Sequence, residues 1–214
     1  MKKRIRNILG IAIIAILVIV VVSVFLLTGN KKDIGPCTDY QCDVKNLRLS
    51  TTIEIDKENE DFATIKGNAF AHFRDPLTMY DFEGNKLGYA GDAYRFITQD
   101  AHSIYVNDEF SVEMVGLFKI FGESYDIYNK DGKKIANVVF NSFNTHGEMH
   151  DTSGNLMADF TSKLFRNDFE VRITEKCDLD EKTVLMIFSS YYSDQNADAQ
   201  RKSNQRKSNN SRKK

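Results

Sequence analysis

Proline is nearly missing from this chain, with 2 in 214 residues. A Pro-rich or collagen-like sequence is thereby excluded. Tryptophan is absent, and cysteine is limited to three residues. A structural zinc site takes four ligands, and no second Cys pair stands beside Cys37 and Cys42. The signature loops of common enzymes are missing as well. No Gly-x-Gly-x-x-Gly follows a strand-like run, and there is neither a Gly-x-x-x-x-Gly-Lys-Ser/Thr nor a Gly-x-Ser-x-Gly. These absences argue against the common nucleotide enzymes and the α/β-hydrolases. Aromatic residues make up 11%, too many for a disordered chain. With 42% apolar and 28% charged residues, the composition is that of a globular protein.

The formal net charge of −1 hides an asymmetry. Lys2, Lys3, Arg4 and Arg6 precede any acid, and residues 201–214 carry seven basic residues and no acid. Residues 8–200 therefore hold 18 of the 29 basic residues and all 30 acidic ones, a body near −12 between two basic ends.

Residues 8–27 form an unbroken apolar run, broken in character only by Gly10 and Ser23. Such a run spans about 30 Å as a helix, the hydrocarbon thickness of a bilayer. It has no polar stripe, so the expectation is a transmembrane helix. The basic residues before it place the N-terminus in the cytoplasm and the remainder outside. A cleaved signal peptide is the rival reading. Its apolar stretch would be about 7–15 residues long with a small-x-small exit. The exit here, Phe25-Leu26-Leu27-Thr28-Gly29-Asn30, has no such pair. Outside the cytoplasm, a Cys37–Cys42 disulfide is expected, with three reduced thiols as the alternative. Cys177 is left over in either case.

From Ile53 to Ile173 the apolar period is mostly two, as in Phe110, Val112 and Met114, and in Phe169, Val171 and Ile173. Three segments share the pattern Asp/Asn-x-x-Gly-x-x-apolar-small. They begin at Asp81, Asn129 and Asp151, with Gly84, Gly132 and Gly154 in the fourth place. Asp or Asn suits the first position of a type I turn, and Gly accepts positive φ, so each copy predicts a bulged hairpin. Beyond Thr174, Asp178-Leu179-Asp180-Glu181 reads as a helix start, and Val184–Phe188 is solidly apolar. On a helix five consecutive residues point all round, so this helix has to be enclosed. The spacing predicts it over 181–195, running through a closed barrel of hairpins.

These hairpins and the Val184–Phe188 helix resemble the tubby-like C-terminal fold, in particular the LURP-one-related family, over about residues 47–195. That resemblance implies a closed antiparallel barrel of about twelve strands around a central hydrophobic helix. It also implies binding or membrane association more than catalysis. The expected class is mainly β: a hairpin-built barrel around a buried C-terminal helix, preceded by one transmembrane helix. The expected organisation is 1–7 basic and cytoplasmic, 8–27 transmembrane, 28–46 a linker holding Cys37 and Cys42, 47–200 the barrel domain, and 201–214 a disordered basic tail.

His146, Glu148 and His150 share one face if their segment is a strand, an imidazole–carboxylate–imidazole set that metals accept. The plainer reading is the polar outer face of a hairpin. Gln99, Asp100 and His102 form a second polar cluster, read as a hydrogen-bonded loop, with a His–Asp general-base pair as the alternative. Asp75-Pro76-Leu77 and Gly91-Asp92 read as turns. The basic tail suits anionic lipid head groups or wall polymers, or is solvated, and nucleic acid is not expected at an outer surface. No catalytic residue, metal or cofactor is assigned. The expected function is a membrane-anchored, non-enzymatic envelope module binding a protein, lipid or small apolar ligand. The alternative is an envelope enzyme, metal-assisted, working through His146, Glu148 and His150.

Overall fold

The computed structural model describes residues 33–47, 50–68, 77–92, 101–117, 122–142, 144–162 and 168–195. The chain divides into two compact units, Met1–Asp33 and Ile34–Lys214, and the fold described is that of the second. The apolar run 8–27 and the basic segment 201–214 lie outside the described residues. Among the described residues no helix is long and apolar enough to cross a membrane.

Twelve strands follow one another: β1 (Cys37–Leu47), β2 (Ser50–Lys57), β3 (Glu60–Asn68), β4 (Leu77–Tyr80), β5 (Lys86–Asp92), β6 (Ala101–Val106), β7 (Glu109–Leu117), β8 (Glu123–Tyr128), β9 (Lys134–Phe140), β10 (His146–Asp151), β11 (Leu156–Ser162) and β12 (Asp168–Thr174). Each pairs antiparallel with the next, and β1 pairs with β12, so the sheet closes into a barrel without an edge. A helix, α1 (181–195), follows β12. The expected strand-built barrel with a C-terminal helix is therefore present.

Asp180 caps α1: its carboxylate accepts the Lys182 N–H at 2.8 Å, and its carbonyl accepts that of Val184 at 3.2 Å. Val184, Leu185, Met186, Ile187 and Phe188 are all fully buried, which requires contact on every side of the helix. The wall supplies it. The Phe188 ring meets Phe140 of β9 and Phe160 of β11, Tyr191 stacks on Phe140 at 3.4 Å, and Tyr192 packs on Phe169 of β12. The small residue of each repeat, Gly88, Ala136 and Ala158, faces inward and is buried, leaving room for the helix. At Gly88 the wall itself is close: a Cβ there would lie 2.5 Å from the Tyr105 carbonyl oxygen.

The three repeated turns are bulged hairpins. Gly84, Gly132 and Gly154 have φ of 84°, 71° and 85°, and each donates its N–H to the carbonyl of the opening Asp or Asn at 2.9–3.2 Å. The strand register shifts beside each turn, at Met79/Tyr80, Ile127/Tyr128 and Met149/His150. Two further hairpins escaped the Gly pattern. Glu58-Asn59 joins β2 to β3 and Asn107-Asp108 joins β6 to β7, all four with positive φ, as a type I′ turn demands.

Three expectations are corrected. The segment 28–46, read as a linker, contributes β1, whose Tyr40, Cys42 and Val44 point into the core. Cys37 and Cys42 are not joined. They lie about 16 Å apart along one extended strand and on opposite faces, whereas a disulfide needs Cα atoms within about 7 Å. Gly91 and Asp92 end strand β5, Leu77 begins β4 and His102 belongs to β6, rather than lying in turns or a loop.

Candidate functional site

With the barrel interior occupied, side chains free for chemistry lie on the outer wall or at its two ends. On β10, β11, β12 and β1 the inward residues include Met149, Phe160, Val171 and Tyr40. Alternation then places His146, Glu148, His150, Asp159, Arg172 and Asp39 outside. Register aligns them in a row: Glu148 faces Asp159, Asp159 faces Arg172, and Arg172 faces Asp39.

Arg172 is the centre of that row. Its Nε donates to Asp159 Oδ1 at 2.8 Å and its second amino group to Oδ2 at 2.5 Å, a planar fork on a carboxylate. Both side chains are buried although they sit on the outer face, at 7% and 2% exposure. Burial works against the guanidinium charge, but the Asp159 hydrogen bonds outweigh it and hold the group more firmly protonated than usual. Removing either partner would leave a buried charge alone, at about 3–5 kcal/mol.

His146, Glu148 and His150 do share one strand face. His146 Nε2 lies 3.4 Å from Glu148 Oε1, and His150 Nε2 lies 3.0 Å from Oε2. His150 Nδ1 also faces the Gly154 carbonyl at 3.3 Å, an acceptor to which a ring N–H donates. One carboxylate thus gathers two imidazoles in a hydrogen-bonded trio. Among the described residues no group of three or more His, Cys, Asp or Glu is arranged to hold a metal ion.

The cysteines offer no activated thiolate. Burial, and then Asp39 at 3.7 Å, push the Cys37 thiol up. Burial pushes Cys42 well up and raises Cys177 too.

The barrel's ends hold α1 by polar groups. At the end where β1 begins, Glu181 accepts the Tyr40 hydroxyl and the Lys57 ammonium, the latter at 2.8 Å. Burial pushes the Glu181 carboxyl up, but the Lys57 and Tyr40 hydrogen bonds outweigh it and hold the group below its ordinary value. The buried Tyr40 phenol is pushed far up by burial and by Glu181. At the opposite end Gln195 donates to Glu123 Oε1 at 2.6 Å and accepts from Asn144 at 2.7 Å. There His102 Nε2 meets Asp194 Oδ2 at 2.8 Å. The sequence groups His102 with Gln99 and Asp100 in a hydrogen-bonded loop, with a His–Asp pair as the alternative. The partners of His102 here include Asp194 and, at 3.6 Å, Asp92. Gln99, Asp100 and Asp75-Pro76 lie outside the described residues.

No protein-family model, curated protein or solved structure matches this chain. Reasoning from the sequence missed Asp159, Arg172, Glu181, Asp194 and Gln195. Alternation along β11 and β12 carries a signal for the first two, since Asp159 and Arg172 each stand between apolar neighbours in a strand.

Proposed function

We propose that this chain is a membrane-anchored, non-enzymatic β-barrel module of the cell envelope. In this reading 8–27 spans the membrane, the N-terminus is cytoplasmic, and the barrel lies outside the cytoplasm and binds a protein or lipid partner through its outer wall. The observation that carries it is the filled interior. Five consecutive α1 residues are sealed in the barrel, so a bound partner has to meet the outside. A small apolar ligand would need to displace that helix, and this makes it the least favoured of the three ligand types. Kinship with the tubby-like, LURP-one-related barrels belongs to the same proposal. Its support is the closed twelve-strand wall around one apolar helix.

Capture from native membranes with the full chain as bait tests the binding. A specific partner should be retained by the wild type and lost with Glu148→Lys or Val139→Asp, outer-face changes at half-buried and exposed positions. Retention by both variants places the contact elsewhere. Protease added outside spheroplasts should digest the barrel. Protection of the barrel until the membrane is broken would reverse the orientation.

The second reading, an envelope enzyme, is favoured by one observation: both imidazoles converge on Glu148. Stoichiometric zinc in the purified protein, lost in His146→Ala, would move the conclusion to it. Titration is expected to show no binding tighter than about micromolar, roughly 8 kcal/mol.

A further inference from the structure

We propose that the Tyr191 hydroxyl anchors a site inside the barrel for one internal water, a guest that both accepts and donates hydrogen bonds. Tyr191 lies in the second half of α1 and is 1% exposed. Three rings fix its own: it stacks on Phe140 and meets Tyr125 and Phe160 edge-on, with centroids 6.0 and 5.9 Å away. Its hydroxyl oxygen is sealed and has no hydrogen-bond partner among the described residues. The neighbouring Ser189 and Ser190 hydroxyls share that condition. Sealed hydroxyls without a partner are rare in folded proteins, because burial took water from them and returned nothing. A helical serine can turn its hydroxyl onto the carbonyl four residues earlier, Leu185 for Ser189 and Met186 for Ser190. A phenol is held far from its own backbone and has no such recourse. Tyr191 has to be served by another molecule.

The surroundings say which molecule. A carboxylate offers about four lone-pair positions. Among the described residues two hydrogen bonds occupy that of Glu123: Oε2 takes the Tyr125 hydroxyl at 3.0 Å and Oε1 the Gln195 amide at 2.6 Å. The Tyr125 oxygen gives its proton to Glu123 and keeps its lone pairs as acceptors. This group has acceptor capacity left over, and it stands beside Tyr191. The Tyr125 and Tyr191 rings touch, and Gln195, one turn beyond Tyr191 on the same helix face, reaches Glu123. The electrostatics agree. Burial and then the Glu123 charge push the Tyr191 phenol up. Burial and Glu123 do the same to Tyr125, with Tyr191 among the lesser causes. No direct hydrogen bond joins Tyr191 to either group.

One donor without an acceptor, beside acceptors beyond its direct reach, is completed by a bridging water. The water oxygen takes the Tyr191 proton, and its two hydrogens go to Glu123 and to the Tyr125 oxygen. Buried waters typically make about three hydrogen bonds, the number these groups offer. An ammonium ion has no lone pair for the Tyr191 proton, and a hydrocarbon has neither donor nor acceptor. A larger alcohol would have to push Tyr191 off its stack on Phe140. The middle of α1 differs, because Val184–Phe188 presents only apolar side chains to the wall. The interior is therefore dry at one level of the helix and hydrated at the next.

Magnetic relaxation dispersion of the water signal counts internal waters by their long residence, and the full chain is compared with its Tyr191→Phe variant. That substitution keeps the ring and its stack and removes only the hydroxyl. The difference between the two should be one long-lived water, and the thermal midpoint of Tyr191→Phe should not rise. Tyr125→Phe removes one acceptor and should shorten the residence of the same water about five-fold, the weight of one ordinary hydrogen bond. No difference between wild type and Tyr191→Phe would overturn the proposal. So would a raised midpoint in Tyr191→Phe, since deleting a hydroxyl that binds nothing is a gain. A residence time unaltered in Tyr125→Phe would remove the water from this group and overturn the site as well.

Discussion

The two ends of the barrel are built differently. At the end where β1 begins, short turns join the strands, and three of them are closed by the side chain of their opening residue. Asp81 Oδ1 accepts the Asn85 N–H at 2.7 Å, Asn129 Oδ1 accepts those of Asp131 and Lys133 at 3.0 Å, and Asp151 Oδ1 accepts those of Ser153 and Asn155 at 2.8 Å. At the other end the connections include the longer segments 69–76 and 93–100, and α1 finishes among Asp92, His102, Glu123 and Asn144. The turns of the first end are local in sequence, while its hold on α1, through Glu181 to Tyr40 and Lys57, joins residues far apart in the chain. The second is assembled from residues far apart in the chain and contains a histidine. The same helix is therefore held at one end through the Glu181 carboxylate and at the other through Asp194 and Gln195.

The middle of α1, which belongs to neither end, carries the largest effect. Ile187→Lys would place an unpaired charge in a sealed core and should abolish folding, read as loss of cooperative unfolding and of near-ultraviolet dichroism. Leu185→Ala or Phe188→Ala should cost about 2–5 kcal/mol in denaturant titration, the usual range for large-to-small core changes. If these fall below about 1 kcal/mol, the ends rather than the core hold the helix, and the comparison inverts.

Next comes Glu181. Its carboxyl is held below the ordinary value by Lys57 and Tyr40 against the effect of burial, so its contribution is complete above the unfolded carboxylate value, about 4.3. It is lost as the pH falls through the lower folded value. The Asn85 hydrogen bond on Asp81 and the Asn155 hydrogen bonds on Asp151 act in the same direction. Glu181→Gln should cost about 1–2 kcal/mol at neutral pH, reduced from the full charged-bond figure because the side chain is part exposed. It should also lessen the drop in melting temperature below about pH 4. A stability curve that steepens in acid on this substitution would contradict the assignment.

The smallest effect belongs to the turns. Gly132→Ala or Gly154→Ala has open space around the new Cβ, so only the positive φ opposes it, at about 1 kcal/mol. Gly132→Asn should cost less. Gly88→Ala separates backbone strain from crowding, because there the added Cβ meets the Tyr105 carbonyl. It should cost more than either turn substitution.

The contrast between local and distant contacts explains what was readable in the sequence. Val184–Phe188 and the Asp/Asn-x-x-Gly turns are local signals, and the helix and hairpins they predict are there. The type I′ turns at Glu58-Asn59 and Asn107-Asp108 carry no Gly, and Asn and Asp mark the left-handed region less conspicuously. The alternation of Tyr40, Cys42 and Val44 marks β1 clearly, but two nearby cysteines suggested a disulfide and obscured the strand. The outer trio His146, Glu148 and His150 was legible because its members lie on one strand. Its neighbours Asp159 and Arg172 meet only through the register of β11 on β12, and the contacts of Glu181 with Tyr40 and of Asp194 with His102 depend on how α1 sits in the barrel. Pairs more than ninety residues apart leave no local pattern.

Ending the chain after Cys177 tests the central role of α1 most directly. Without residues 178–214 the wall has no interior, and guanidinium titration should show no cooperative transition. A truncated protein that unfolds cooperatively with full-length stability would contradict the enclosed-helix barrel.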